Sequence, residues 1–104
     1  MNTKKEYIKK WCELALTKTK NINPKTSSSY GLKHCCEESI GLYVSNQEII
    51  QTMEELGFMK KSDGVNCKFN ISKVVNKIVF KNKLGKEYSS NNRQYHPRSL
   101  TINF

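Results

Sequence analysis

No apolar run in this 104-residue chain approaches the ~18 residues that a membrane-spanning helix needs. The opening residues, MNTKKEYIKKW, are basic but lack the apolar stretch of a secretory leader. Both absences point to a cytoplasmic protein with no membrane partner. Acidic residues are few, nine Asp and Glu against 18 Lys and Arg, which gives a formal charge of +9. Such an excess implicates a polyanion or an acidic surface as partner and is silent about the fold. Zinc-type spacing is missing: there is no C-x-x-C and no closely spaced pair of histidines. His34, Cys35 and Cys36 are contiguous, and neighbours on a helix diverge by about 100°, so the three cannot share one ion. A chain of this class does not read as a disulfide framework either. Cys12, Cys35, Cys36 and Cys67 are therefore expected to be buried thiols, with no metal and no cofactor. A glycine-rich phosphate loop and a catalytic pair of carboxylates are also lacking.

What remains is enough for one small core. The mass is 12.1 kDa, the mean hydropathy −0.68 and the apolar share 37%, with ten aromatic residues. The length suits a single domain. Charge is segregated along it. Residues 1–36 carry a net +6, residues 37–57 hold five Glu and no Lys or Arg, and residues 58–104 carry a net +8. A basic–acidic–basic layout differs from the even coat of a nonspecific nucleic-acid clamp. It implies that the middle segment faces away from nucleic acid or faces a protein.

Periodicity predicts the elements. Residues 1–17 contain a helix from about Lys4 to Leu16, with Tyr7, Ile8, Trp11, Cys12, Leu14, Ala15 and Leu16 on the apolar side. Thr3 is its expected cap, with Glu6 in capping-box position. Residues 18–28 form a polar, flexible basic connector. A core of helix, helix, hairpin and helix is expected over 29–82. Its first helix spans Tyr30 to Ile40, capped by Ser27, Ser28 or Ser29 and closed by Gly41. The next opens with a Ser45/Glu48 capping box and a Val44/Ile49 staple, buries Ile49, Ile50, Met53 and Leu56, and ends at Gly57. Phe58 to Ser62 and Val65 to Ile71 then pair about an Asp63-Gly64 type I′ turn. On the return strand Val65, Cys67, Phe69 and Ile71 fall on one face, expected to be the inward one, and Asn66, Lys68 and Asn70 on the other. Ser72 caps a helix over Lys73 to Asn82, although the run Ile78-Val79-Phe80 reads equally well as strand. Residues 83–104 are a basic C-terminal segment in which Leu100, Ile102 and Phe104 alternate as an edge strand. The fold class is α+β, a small, mostly helical domain with a β-hairpin, winged-helix-like in element order.

Within that order the helix after Ser45 would normally read the major groove. Asn46, Gln47 and Gln51 suit adenine edges, but Glu54 and Glu55 suit phosphates badly. The cations lie elsewhere. Lys60, Lys61, Lys68, Lys73, Lys77, Lys81, Arg93 and Arg98 are the expected contacts to a nucleic acid or ribonucleoprotein, with Lys83 and Lys86 among them. Gln47, Glu48, Gln51, Glu54 and Glu55 form an acidic face suited to a protein's basic groove. Ordinary solvated lysines and a solvated helix face are the bland alternatives. Catalysis has thin support. His34 and Cys35 are adjacent, and adjacent helical side chains do not meet. His96, between Arg93 and Arg98, offers an acid or base among cations, as a small metal-independent nuclease would need. The reading is a binding protein, not an enzyme.

Three stretches carry a resemblance. Ser28-Ser29-Tyr30-Gly31-Leu32-Lys33-His34, then Tyr43-Val44-Ser45-Asn46, then Met53 to Phe58 precede the strand Asn66-Cys67-Lys68-Phe69-Asn70-Ile71-Ser72. This pattern, over roughly residues 26–73, resembles small accessory proteins of phages and conjugative elements in Gram-positive bacteria. The motifs are structural rather than catalytic. The resemblance implies a mobile-element protein in the cytoplasm of a bacterial host. Its sharpest form is an anti-CRISPR inhibitor that occludes a nucleic-acid or protein site on a type II CRISPR effector nuclease or its guide-RNA complex. A winged-helix DNA-binding transcriptional regulator, with DNA as partner, is the main alternative, and a nuclease using His96 or His34 the second. The number of copies in the active protein is left open by the sequence.

Overall fold

A computed structural model describes residues 3–72, 76–81, 84–89 and 99–103. Helix α1 (Lys4–Ala15) starts where Thr3 leaves the helical backbone and its Oγ1 accepts from Glu6 N at 3.2 Å. Its inward stripe is Ile8, Trp11, Cys12 and Ala15. The last turn is closed by a distant residue. Asn76 donates from its backbone N to Ala15 O and from Nδ2 to Leu14 O, both at 3.0 Å, which satisfies carbonyls that the helix leaves unpaired.

Helix α2 (Ser29–Ile40) ends at Gly41, whose φ of +72° continues the chain in the left-handed region as expected. Its N-cap is Ser28, which makes no capping bond through its side chain. Ser29, expected as a possible cap, is instead fully buried, and its Oγ accepts from Cys67 N at 3.0 Å. Helix α3 (Asn46–Glu55) shows the complete Ser45/Glu48 capping box, and Val44 and Ile49 are both fully buried. Beyond it Lys18 reaches across to donate to Leu56 O at 2.6 Å, a cation at a helix C-terminus.

Strands β1 (Lys60–Asp63) and β2 (Asn66–Phe69) form the hairpin, with Asp63 paired to Asn66. The two-residue loop is therefore Gly64-Val65, one residue later than expected. Positive φ occurs at Gly64 alone, the pattern of a type II′ turn. Register decides the face: Cys67 and Phe69 are buried, and Lys61 stands directly opposite Lys68 on the outer side.

The connector expected over 18–28 runs along β2 as a ledge: Thr19 N donates to Asn70 O, Asn23 N to Phe69 O, and Lys68 Nζ to Thr26 O. That ledge also explains why Asn70, expected to face outward, is buried. Its Oδ1 accepts from Met59 N at 2.7 Å and its Nδ2 donates to Thr19 O at 2.9 Å.

The expected helix over Lys73–Asn82 gives way to strand β3 (Lys77–Lys81) wherever that stretch is described. Ile78 and Phe80 point into the core while Val79 is half-buried, the period of two that a strand imposes. Partners for β3 come from the stretch expected to be a basic tail. Strand β4 (Glu87–Ser89) pairs with it antiparallel and β5 (Ser99–Asn103) parallel, in the order β4-β3-β5. The alternation of Leu100 and Ile102 as an edge strand is thus realised in β5. The architecture is a small α+β domain of three helices and two small sheets. Its core joins Trp11, Phe69, Ile49, Met53 and Ile78 from α1, β2, α3 and β3. No helix among the described residues is long and apolar enough to cross a membrane.

Candidate polyanion and partner interfaces

The acidic face of α3 is largely occupied by the chain's own lysines. Lys4 Nζ lies 2.9 Å from Glu48 and Lys5 Nζ 2.9 Å from Glu55, both reaching over from α1, and Lys60 of β1 pairs with Glu54. Burial pushes the Glu48 carboxyl up, but the Ser45 N–H and Lys4 outweigh it and hold the group below the usual carboxylate value. Glu54 in turn raises the affinity of Lys60 for its proton. Gln47 and Gln51 are exposed on the same helix. Sequence spacing placed the glutamates on one face but gave no hint that α1 would lie alongside.

Expected cationic positions divide four ways. Lys61 and Lys68 meet on the outer face of the hairpin, where like charges directly opposite repel. Lys20 and Lys25 are exposed on the ledge, two residues that sequence reasoning left in the connector. Lys77 and Lys81 sit at the two ends of β3 on the second sheet, away from the hairpin in the chain's topology. Lys73, Arg93, Arg98 and also His96 lie outside the described residues. Lys60 belongs to the Glu54 pair rather than to a bare cationic face.

A third feature was missed altogether. Tyr30 and Tyr43 are 55% and 68% exposed, unusual for rings in a chain this small, and Lys33 Nζ lies between them at 5.9 and 4.8 Å from their centroids. Lys33 is itself buried, and its charge is matched by Glu37 one turn on, at 3.3 Å. His34 stands edge-on to Tyr30 at 4.5 Å, with Nδ1 3.1 Å from Glu37. Glu37 also accepts from Val44 N. Burial pushes this carboxyl up, yet the Val44 N–H, Lys33 and His34 together bring it below its usual value. Lys4 approaches Tyr43 from the far side at 5.9 Å. The stretches Tyr30–His34 and Tyr43–Val44 thus meet around Lys33 and Glu37. The Lys33/Glu37 spacing was the available signal for it.

The imidazole of His34 is oriented by a carboxylate, one requirement of a general base. Its neighbour Cys35 is buried, and Lys33 is engaged by Glu37. All four thiols are buried. Burial pushes Cys12 and Cys36 well above the ordinary thiol value, opposite to what a nucleophile needs.

One hollow completes the surface. It has a volume of about 180 Å³ and lies between the inner face of β3–β4 and the adjoining ends of α1 and α2. Tyr7, Ile40, Leu42, Phe80 and Tyr88 line it, with Gly41 at its wall and Lys81 at its rim. No known protein family, curated protein or solved structure matches the chain.

Proposed function

We propose that the protein acts by binding, as a mobile-element accessory protein that occludes a nucleic-acid or ribonucleoprotein site. Its expected target is a type II CRISPR effector nuclease or that enzyme's guide-RNA complex, in the cytoplasm of the bacterial host. The observation that carries the binding mode is the separation of charge. Acidic α3 is neutralised from α1 and β1, while Lys61 and Lys68 face each other on the hairpin and Lys20 and Lys25 are exposed on its ledge. Phosphate contacts of this kind give affinity and orientation without sequence reading. The target's identity rests on the sequence resemblance alone.

The order α1, α2, α3 and hairpin supports a winged-helix-like core with the β4-β3-β5 sheet added to it. As a sequence-specific regulator, however, such a core would present Gln47, Gln51, Glu54 and Glu55 to the groove. That set carries two carboxylates, and the lysines beside them, Lys5 and Lys60, are already paired with Glu55 and Glu54. The regulator therefore stands second to occlusion.

The experiment is a pull-down of the tagged chain from cells carrying a type II effector and its guide, with and without nuclease treatment. A stoichiometric effector complex that persists after treatment, and weakens in a Lys61→Glu/Lys68→Glu variant, is the expected result. Recovery of salt-sensitive DNA alone, with no effector, refutes the inhibitor and favours the regulator. Cut nucleic acid that disappears in His34→Ala or His96→Ala refutes both binding readings.

A further inference from the structure

The hollow beside Lys81 combines features that phosphates alone do not require. Phe80 and Tyr88 are directly paired across β3 and β4, so both rings stand on the inner face of the sheet. Tyr7 meets Phe80 edge-on, with centroids 6.4 Å apart and planes at 89°. Tyr88 lies so close over Gly41 that a Cβ there would come within 2.5 Å of its ring. Three aromatic rings and the side chains of Ile40 and Leu42 thus bound one opening, and Leu42 is itself partly exposed at it. Lys86 Nζ lies 5.1 Å from the Tyr88 centroid, and Lys81 also borders the hollow, although strand alternation sets its side chain, with its ladder partner Glu87, on the sheet's other face.

Size and charge together narrow the ligand. At about 180 Å³ the hollow falls below the roughly 300 Å³ at which sites for whole small molecules begin, so it admits one ring rather than a cofactor. The apolar lining favours a flat, weakly polar group, and Lys86 favours an anion attached to it. A base joined to its phosphate is that combination, and aromatic rings with nearby cations are the usual means of holding single strands.

We propose that this hollow takes one unpaired base of a single-stranded nucleic acid, with Lys86 meeting the adjoining phosphate. The inference deepens the polyanion-binding reading and rests on it, while naming a site distinct from the hairpin lysines. It places the second sheet in contact with a displaced or unpaired strand, and leaves the hairpin to duplex or structured regions.

The test titrates the full chain with a ten-nucleotide oligothymidylate and, separately, with a duplex of equal length, followed by NMR and fluorescence anisotropy. Single strand should shift the ring signals of Tyr7, Phe80 and Tyr88, whereas duplex should shift those of the hairpin. Tyr88→Ala should weaken single-strand affinity by about fivefold to a hundredfold, the worth of one stacked base, and spare duplex affinity. Leu42→Trp, which fills the opening from an exposed position, should do the same and guards against an unfolded Tyr88 variant. Shifts confined to Lys61 and Lys68 overturn the hollow but keep the polyanion reading. No shift with either nucleic acid overturns both. Ring shifts caused by a phenylalanine-bearing peptide, and not by the oligonucleotide, assign the hollow to a protein instead.

Discussion

Replacing Asn70 tests whether the ledge and the hairpin are one unit. Its side chain makes two bonds from a position only 5% exposed: Oδ1 accepts from Met59 N, and Nδ2 donates to Thr19 O. Its backbone adds two more to the same residues, Asn70 N to Met59 O at 3.3 Å and Thr19 N to Asn70 O at 2.8 Å. Asn70→Ala leaves the Met59 N–H and the Thr19 carbonyl without partners. A buried polar group stripped of its bond costs about 1–3 kcal/mol. Two such groups, with some access of water at half-exposed Met59, give about 2–4 kcal/mol. Against a typical total of about 5–15 kcal/mol this is a large fraction. The assay is urea unfolding followed by far-UV circular dichroism, with a thermal midpoint falling by at least about 8 °C. Asn70→Asp is the discriminating partner. It keeps an acceptor for Met59 N but sets a carboxylate against the Thr19 carbonyl, so it should be no milder than alanine. A loss below about 0.5 kcal/mol for either variant would refute the account of Asn70 as the residue that fixes the ledge.

Other outcomes follow from the same contacts. Lys61→Ala relieves the repulsion from Lys68 and should leave stability unchanged or raise it by up to about 1 kcal/mol, while weakening duplex binding; a clear destabilisation in urea would count against the register. Glu37 and Glu48 are held below their ordinary value of 4.5 in the folded chain, so the stability they confer is present above that pH and lost as pH falls through their lowered values. Glu48→Gln should therefore lower stability at pH 7 and flatten its acid dependence below about pH 4.5, read from urea midpoints across pH. The four thiols should resist a thiol reagent in the native protein and react together on unfolding; rapid native labelling of Cys12 or Cys36 would contradict their burial. Gly41→Ala meets both a φ of +72° and the Tyr88 ring, and should cost about 1–3 kcal/mol and displace Tyr88 from the hollow, visible as a changed ring spectrum.

The parts that sequence made legible are those governed by nearby residues. The Ser45/Glu48 box, the Gly41 cap and the stripe of Ile8, Trp11, Cys12 and Ala15 each depend on positions within a turn or two, and each is present. Misreadings arose where a distant element supplied the missing partner. Ile78-Val79-Phe80 is compatible with helix or strand until β4 and β5 arrive on either side to satisfy its backbone. Asn70 has the polarity of an outward strand position, and only the ledge, some fifty residues earlier in the chain, makes it an inward one. The Gly64-Val65 loop shows the smaller error of one residue, because Asp-Gly is such a strong turn signal that it masks the true register. The tyrosine–lysine surface was legible only in its Lys33/Glu37 spacing, for a different reason. Tyr30 and Tyr43 look like core aromatics by composition, and exposure is a property of the assembled fold.

The charge pattern shows how far linear order and spatial order differ. Along the sequence, an acidic stretch separates two basic ones and invites the idea of a protein-facing middle. In three dimensions Lys4 and Lys5 from one basic stretch, and Lys60 from the other, lie against Glu48, Glu55 and Glu54. The acidic segment is thereby neutralised by the two segments it seemed to divide. Such exposed pairs contribute little to stability, about 0–1 kcal/mol each, but they reshape the field that a partner meets. With those charges matched in pairs, the +9 excess falls to other cations of the chain. Among the described residues these include Lys20, Lys25, Lys61 and Lys68 around the hairpin and Lys77 and Lys81 on β3. Partner proteins would then meet the exposed Tyr30 and Tyr43 more readily than α3, since rigid aromatic rings make better anchors than carboxylates already engaged by lysine. A surface divided in this way suits a ribonucleoprotein, whose own exterior alternates between protein and phosphate.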